Sequence, residues 1–190
     1  MNKALFVIGT VMVAVVLGST ATTAARWNDE VQLTSALVQS GTLSLLGGNA
    51  TTQVSSYSFT ELAATNMAPG AAAQAPLVLR NDGDVDLTYR LVQASPTVGS
   101  DLGPYLSISM GTVAAASDCP AGPGHHQTAA AETVLYSGPP GTGLTGPSQA
   151  LPVGATEALC AQVSLEDAAP PTVQAASSTI TFTFRAEMTS

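Results

Sequence analysis

A strict two-residue alternation of apolar and polar side chains near the C terminus constrains the fold more than any other feature. In residues 178–187, isoleucine and phenylalanine alternate with threonine and arginine. Because successive side chains of a β-strand point to opposite faces of a sheet, this order predicts a strand with one buried face. Residues 85–94 and 157–165 repeat the pattern with other apolar side chains. We therefore expect the core to be built from strands.

The rest of the chain supplies shorter extended segments separated by turns. These segments are residues 31–38, 42–46, 75–80, 102–113 and 133–136. Residues 57–66 predict one or two helical turns, and Asn81-Asp82-Gly83-Asp84 predicts a hairpin turn between the strands on either side. Residues 114–150, rich in proline, glycine and alanine, predict a long connection. Short strands without alternating helices predict an all-β, jelly-roll-like antiparallel β-sandwich with short helical turns.

The first 25 residues predict a cleavable export signal helix. Lys3 precedes an apolar run from Ala4 to Gly18. Small residues then lead to a cleavage site between Ala25 and Arg26, and a cut one residue earlier also suits the side-chain sizes. The run would extend roughly 22 Å as a helix at about 1.5 Å per residue, less than a hydrocarbon core of about 30 Å. We expect no stable membrane span after processing, with an uncleaved anchor as the alternative, and residues 26–190 as one domain.

The acidic charge disfavours nucleic acid as a partner, and the export signal predicts an oxidising compartment. The formal net charge of −8 makes binding to nucleic acid electrostatically unfavourable. An exported protein is secreted or held at the cell surface, where a pair of cysteines normally oxidises. Cys119 and Cys160 are the only cysteines, and no Cys-x-x-Cys spacing suggests a redox role. A disulfide between Cys119 and Cys160 is therefore predicted.

No residue pattern predicts catalysis or a cofactor. Zinc hydrolysis needs three ligands, an open position for water and a general base, which a His-Glu-x-x-His helix supplies. The two histidines, His125 and His126, are adjacent in a glycine- and proline-rich loop. We expect them to be solvated, with adventitious metal binding as the alternative. The protein is therefore predicted not to be an enzyme.

Three aspartates at alternate positions offer a calcium loop as an alternative interpretation of one turn. They are Asp82, Asp84 and Asp86. The bidentate glutamate of such a loop is missing, because Gln93 occupies its position. No helical pattern flanks the loop either. An Asp-Gly turn without a metal is therefore the preferred interpretation.

Short sequences spread over nearly the whole chain resemble one family of exported proteins. They are Ala24-Ala25-Arg26-Trp27-Asn28-Asp29, Ser40-Gly41-Thr42-Leu43-Ser44-Leu45, Met67-Ala68-Pro69-Gly70, Leu79-Arg80-Asn81-Asp82-Gly83, Leu87-Thr88-Tyr89-Arg90-Leu91, Leu159-Cys160-Ala161-Gln162-Val163-Ser164-Leu165 and Thr181-Phe182-Thr183-Phe184. In this order they resemble the TasA/camelysin family, and the cysteine pair looks like its actinobacterial variant. The resemblance implies a jelly-roll-like β-sandwich, a SipW-type signal peptidase as a processing partner, and a secreted or cell-surface location.

The resemblance further implies self-association into filaments. Some relatives are subunits of biofilm-matrix fibres in which the N-terminal strand of one subunit completes the sheet of the next. Residues 26–38 would be that donor strand here. Its apolar side chains are Val31, Leu33, Leu37 and Val38. An ordinary first strand of its own sheet is the alternative for this segment.

Two further functions stand beside the fibre subunit. A monomeric surface binding module would share the fold without assembling. The resemblance to camelysin also implies a surface metalloprotease, which the missing zinc ligands disfavour. The prediction is therefore a structural protein of the cell surface or extracellular matrix, with the binding module as the first alternative.

Overall fold

The computed structural model describes residues 41–97, 100–123, 131–173 and 176–189. Its strands are β1 (Leu45–Gly48), β2 (Gln53–Val54), β3 (Ala72–Asn81), β4 (Leu87–Pro96), β5 (Leu106–Val113), β6 (Gly122–Pro123), β7 (Thr133–Gly138), β8 (Gly141–Thr142), β9 (Gln149–Leu151), β10 (Thr156–Leu165) and β11 (Ile180–Met188). Single 3₁₀ turns lie at Thr60–Leu62, Gly103–Tyr105, Ala116–Asp118 and Pro171–Val173. The predicted export signal, residues 1–25, and the predicted donor strand, residues 26–38, lie outside the described residues.

The strands form two antiparallel sheets. The first has the order β2-β1-β3-β10-β5-β7, with β6 paired to β3. The second has the order β11-β4-β8, with β9 paired to β4. Every pairing of described strands is antiparallel. The predicted all-β antiparallel sandwich with short helical turns is therefore confirmed.

Side-chain alternation places the apolar faces of both sheets in one core. On β4, Leu87, Tyr89 and Leu91 are at most 1% exposed, and on β10 Leu159 and Ala161 are fully buried. All five belong to the same buried cluster. Full burial of a leucine side chain stabilises a fold by about 1.5–3 kcal/mol. The period-two pattern in the sequence therefore identifies the core of this domain.

The predicted hairpin at residues 81–84 is wrong. β3 belongs to the first sheet and β4 to the second, so the segment between them forms a corner from one sheet to the other. Asn81 is fully buried at this corner. Its side-chain amide donates to the carbonyls of Val85 and Leu151, at 2.9 and 3.0 Å. One asparagine thereby satisfies two backbone acceptors where the chain leaves the first sheet.

The residues before β1 explain why this segment does not close as a hairpin. The backbone N–H groups of Asp82 and Asp84 donate to the carbonyls of Ser44 and Thr42, at 2.9 and 3.1 Å. Gly83 permits the close approach, because a Cβ there would lie 2.3 Å from the Thr42 carbonyl oxygen. The same turn residues suit a hairpin or a corner, and the neighbouring segment decides between them.

The long connection predicted for residues 114–150 contains more pairing than its composition indicates. β7 pairs with β5, β6 pairs with β3, and both β8 and β9 pair with β4. Most of these strands are two or three residues long, which explains why no periodic pattern marks them. Residues 124–130, which include His125 and His126, lie outside the described residues.

The predicted disulfide between Cys119 and Cys160 is confirmed, with a Cα–Cα distance of 5.4 Å. Because Leu159 faces the core, the next residue on β10 faces the outer side of the first sheet. The bridge therefore ties the 3₁₀ turn Ala116–Asp118 to that outer face, beside Val113. Closing a loop of 41 residues stabilises the fold by about 4 kcal/mol if the effect is mainly on unfolded-chain entropy.

The two lateral sides of the sandwich are closed to different degrees. On the sealed side, defined by residues 133–146, the chain passes from β7 in the first sheet to β8 in the second. The Leu144 N–H donates to the Val92 carbonyl on β4 at 3.0 Å, and Leu135 is 1% exposed beneath the crossover. On the open side, defined by β1, β2, β11 and residues 55–67, a groove lies between the outer edges of the two sheets.

Candidate functional site: an open apolar groove

An apolar groove with a volume of about 1120 Å³ runs along the open side. The inward face of β11 forms one wall, and the first sheet contributes Leu45, Leu77 and Leu79. The segment before β3 adds Tyr57 and Phe59. A concave, largely apolar channel between two sheet edges can accept an extended chain with alternate apolar side chains.

The outer edge of β11 is unpaired in the described part of the chain. β11 pairs with β4 along nine residues, from Ile180 to Met188, and no described strand lies on its other side. It contains no proline, so its backbone can pair along its whole length. Such an edge presents a row of N–H and C=O groups that another strand can use.

The outer edge of β3, in contrast to that of β11, is largely paired with other strands. β1 covers this edge at residues 78–81, and β6 covers it at residues 73–74. Pro76 lies between the two covered stretches and has no N–H to donate. A covered edge interrupted by proline resists strand addition, so β11 offers the free edge at this groove.

The apolar side chains of β11 are only half-buried. Ile180, Phe182 and Phe184 point toward the groove, and each is intermediate in exposure. On the adjacent strand β4, Ala94 and Leu91, which lie opposite Phe182 and Phe184, are fully buried. Met188, at the end of β11, is 55% exposed. The apolar face of this strand therefore extends beyond the surface that described residues cover.

Aromatic side chains form the wall opposite β11. The rings of Phe59 and Phe182 meet edge to face with centroids 6.4 Å apart, and Tyr57 lies 6.3 Å from Phe59. Aromatic pairs at this separation contribute about 0.5–1.5 kcal/mol beyond area burial. These contacts position the segment before β3 beside the groove without filling it.

A polar network fixes this aromatic wall from behind. The Tyr57 hydroxyl donates a hydrogen bond to the carboxylate of Glu61, and the Asn49 amide donates one to the Tyr57 hydroxyl at 3.0 Å. The hydrogen bond to Glu61 raises the pKa of Tyr57, and the same bond lowers the pKa of Glu61. The network therefore holds a charged carboxylate and a neutral phenol at neutral pH.

Tyr89 links the two sheets beneath the groove. Its ring meets Phe184 edge to face at 6.1 Å, and its hydroxyl donates to Glu157 on β10. Burial, and then the hydrogen bond to Glu157, raise the pKa of Tyr89. This contact joins the second sheet to the first and supports the inward position of Phe184.

The sequence predictions for functional residues have different outcomes. The cysteine pair is confirmed. The predicted cleavage site, Ala25 and Arg26, lies outside the described residues, as do Val31, Leu33, Leu37 and Val38 of the predicted donor strand. His125 and His126 also lie outside them. Those assignments therefore stay predictions.

The three aspartates of the calcium-loop alternative have separate partners. Asp82 forms an ion pair with Arg80 at 3.2 Å. Asp84 accepts a hydrogen bond from the Thr42 N–H, and Asp86 accepts one from the Val153 N–H at 2.9 Å. Within the described ranges, no three His, Cys, Asp or Glu side chains form a group that could hold a metal ion.

Sequence reasoning missed the groove and its aromatic wall. Residues 57–66 are predicted to form one or two helical turns, and the structure has a single 3₁₀ turn there, Thr60–Leu62. The two-residue spacing of Tyr57 and Phe59 is the signal of an extended segment with one apolar face. The alternation in β11 identifies its apolar face, but not the absence of a neighbouring strand.

The fold and the groove define this protein as an antiparallel β-sandwich with one open side. No family model, curated protein or solved structure matches the chain. None of the described helical segments is both long and apolar enough to cross a membrane. The groove and the sequence are therefore the features that indicate its function.

Proposed function

We propose that the protein is a secreted, non-enzymatic structural subunit of extracellular or biofilm-matrix fibres. In each contact, residues 26–38 of one copy add as a strand to the free edge of β11 in the next copy. The observation that carries the proposal is this free edge above a half-buried apolar face. The resemblance to the TasA/camelysin family supports the same assembly.

The dimensions of donor and acceptor agree. As an extended strand, residues 31–38 would be about 26 Å long at about 3.3 Å per residue, and the nine residues of β11 span a similar length. Backbone hydrogen bonds to β11 supply affinity, while Val31, Leu33 and Leu37 fill the groove at alternate positions. One added strand would therefore pair the free backbone groups of β11 and also cover its half-exposed phenylalanines.

Repeated addition of this kind produces a filament. The donor and acceptor are different surfaces of the same chain, so each contact is heterologous and leaves a free acceptor at one end. Two-fold closure would need each copy to donate and accept against the same partner. Growth therefore continues until free copies are exhausted or a donor is blocked.

Deletion of the donor segment tests the proposal. A chain that begins at Arg26 should form filaments visible by negative-stain electron microscopy, and a chain that begins at Gln39 should remain monomeric. A synthetic peptide of residues 26–38 should bind the shortened chain and cap growing filaments of the longer one. The same peptide with Val31, Leu33 and Leu37 changed to serine is the matched control and should not bind.

Three outcomes would contradict the proposal. Filaments formed by the shortened chain would show that another surface joins the copies. A longer chain that stays monomeric at all concentrations would favour the monomeric surface binding module. Caseinolytic activity removed by a chelator would instead support the metalloprotease.

A further inference from the structure

Two arginines face each other on the outer surface of the second sheet. Arg90 on β4 and Arg185 on β11 are directly opposite in the strand register. Their neighbours Tyr89, Leu91 and Phe184 point inward, so both arginines point to the outer face. Side chains of such a pair have Cβ atoms about 4.5–5.5 Å apart.

This placement is unfavourable without a ligand, because like charges directly opposite destabilise a sheet. It is also unusual for this chain, which has net charge −8, one lysine and four arginines. The described residues contain three cationic side chains, and two of them form this pair. The third, Arg80, is neutralised by Asp82 at 3.2 Å.

Local acids do not neutralise the pair. Glu187 lies 3.9 Å from the Arg90 guanidinium and is 61% exposed, so one loosely held carboxylate serves two cations. Arg185 is exposed and forms no ion pair with a described carboxylate. The arginine pair therefore keeps a net positive charge of about one, which would attract an anion to this part of the outer face.

The surroundings supply further hydrogen-bond donors. Thr183 lies opposite Gln93 on the same outer face, two residues along β11 from Arg185. The register shifts between Thr183 and Phe184, which makes a bulge directly beside the arginine pair. Bulges occur often next to functional sites because they redirect side chains. The face thus combines two guanidinium groups with hydroxyl and amide donors.

We infer that Arg90 and Arg185 form a binding site for a phosphate group, either on a phosphate-bearing polymer other than nucleic acid or free in solution. Each guanidinium is a planar fork of donors that suits phosphate oxygens, and a phosphate has enough oxygens to bridge two forks. At physiological ionic strength the Debye length is about 8 Å, so the distant carboxylates are screened from the site. The site lies on the outer face and does not depend on filament formation.

Side-chain NMR tests the site directly, because only four arginine Nε–H signals need assignment. Purified protein is titrated with sodium phosphate at pH 7, against sodium chloride of equal ionic strength. The signals of Arg90 and Arg185 should shift together with one dissociation constant, and that of Arg80 should not shift. A long-chain polyphosphate that binds about tenfold or more tightly than inorganic phosphate identifies the polymer as the ligand, and equal affinity identifies the free ion.

Variants separate this site from general charge effects. Arg90→Gln and Arg185→Gln should each weaken phosphate binding about tenfold, while the matched control Arg80→Gln should leave it unchanged. Glu187→Gln should strengthen binding about two- to threefold, a gain that misfolding does not produce. Equal shifts of all arginine signals, or unchanged binding by Arg185→Gln, would overturn the inference.

Discussion

The sealed and open sides of the sandwich start from the same type of sequence pattern and end in different states. On the sealed side, β7 continues into β8 of the opposite sheet, and Leu135 is 1% exposed. On the open side, β11 has a stronger alternation, yet Ile180 and Phe182 stay half-exposed beside the groove. The difference arises because β7 continues directly into β8 across the sealed side, whereas no described strand lies on the outer edge of β11.

An apolar strand face needs cover that this domain supplies fully on the sealed side only. Burial of an apolar strand face requires a covering segment beside its edge as well as a sheet opposite. The crossover to β8 supplies this cover for Leu135 on β7, whereas β11 has β4 on one edge and the groove on the other. The open side therefore keeps apolar surface and backbone groups available for a further strand.

The largest expected effect comes from damage to the sealed side. Leu135→Ala should lower the free energy of unfolding by about 2–5 kcal/mol, because a buried leucine leaves a cavity that the crossover prevents from collapsing. Urea denaturation of the chain without residues 26–38 measures this loss. Val134→Ala is the matched control, since Val134 is 53% exposed, and it should change stability by less than about 0.5 kcal/mol. A loss below about 1 kcal/mol for Leu135→Ala would show that the sealed side is not closed in solution.

A smaller effect on the monomer is expected from the open side. Phe182→Ala should cost the chain without residues 26–38 about 1–2 kcal/mol, because the ring is only half-buried there. The same change should abolish capping by the peptide of residues 26–38, since it removes a wall of the groove. A cost equal to that of Leu135→Ala would mean that the groove is filled in the monomer. Unaltered peptide binding would place the donor elsewhere.

Sequence alone predicts the elements with long regular alternation. β4, β10 and β11 each contain at least nine residues, and the side chains that face the core alternate along them, apart from the bulge between β4 and β11. The cysteine pair is equally predictable, because the chain has only two cysteines, which leave one intramolecular pairing. These features depend on local order and composition, which a sequence states directly.

Features that depend on neighbours cannot be predicted in this way. The turn at Asn81 suits a hairpin, but hydrogen bonds from Asp82 and Asp84 to the residues before β1 make it a corner. The groove also depends on an absence, because no described strand covers the outer edge of β11. A pattern of side chains in one strand does not specify which other segment pairs with it.

The smallest expected effect concerns Tyr89, which joins the sheets beneath the groove. Its pKa is raised, chiefly by burial, whereas a tyrosine in the unfolded chain ionises near pH 10. Above about pH 10 the unfolded state therefore binds fewer protons than the folded state, and the free energy of unfolding falls by up to about 1.4 kcal/mol per pH unit. The stabilisation is complete below that pH and is lost as the pH rises.

Urea denaturation between pH 8 and about pH 11 measures this slope. Tyr89→Phe should make the alkaline slope shallower, because the buried phenol no longer ionises on unfolding. Glu157→Gln is the matched control. It removes the carboxylate that accepts the hydrogen bond from the Tyr89 hydroxyl but leaves Tyr89 buried, so most of the slope should remain. If Tyr89→Phe keeps the full slope, Tyr89 is solvated in solution, and the contact that supports Phe184 beside the groove is not formed.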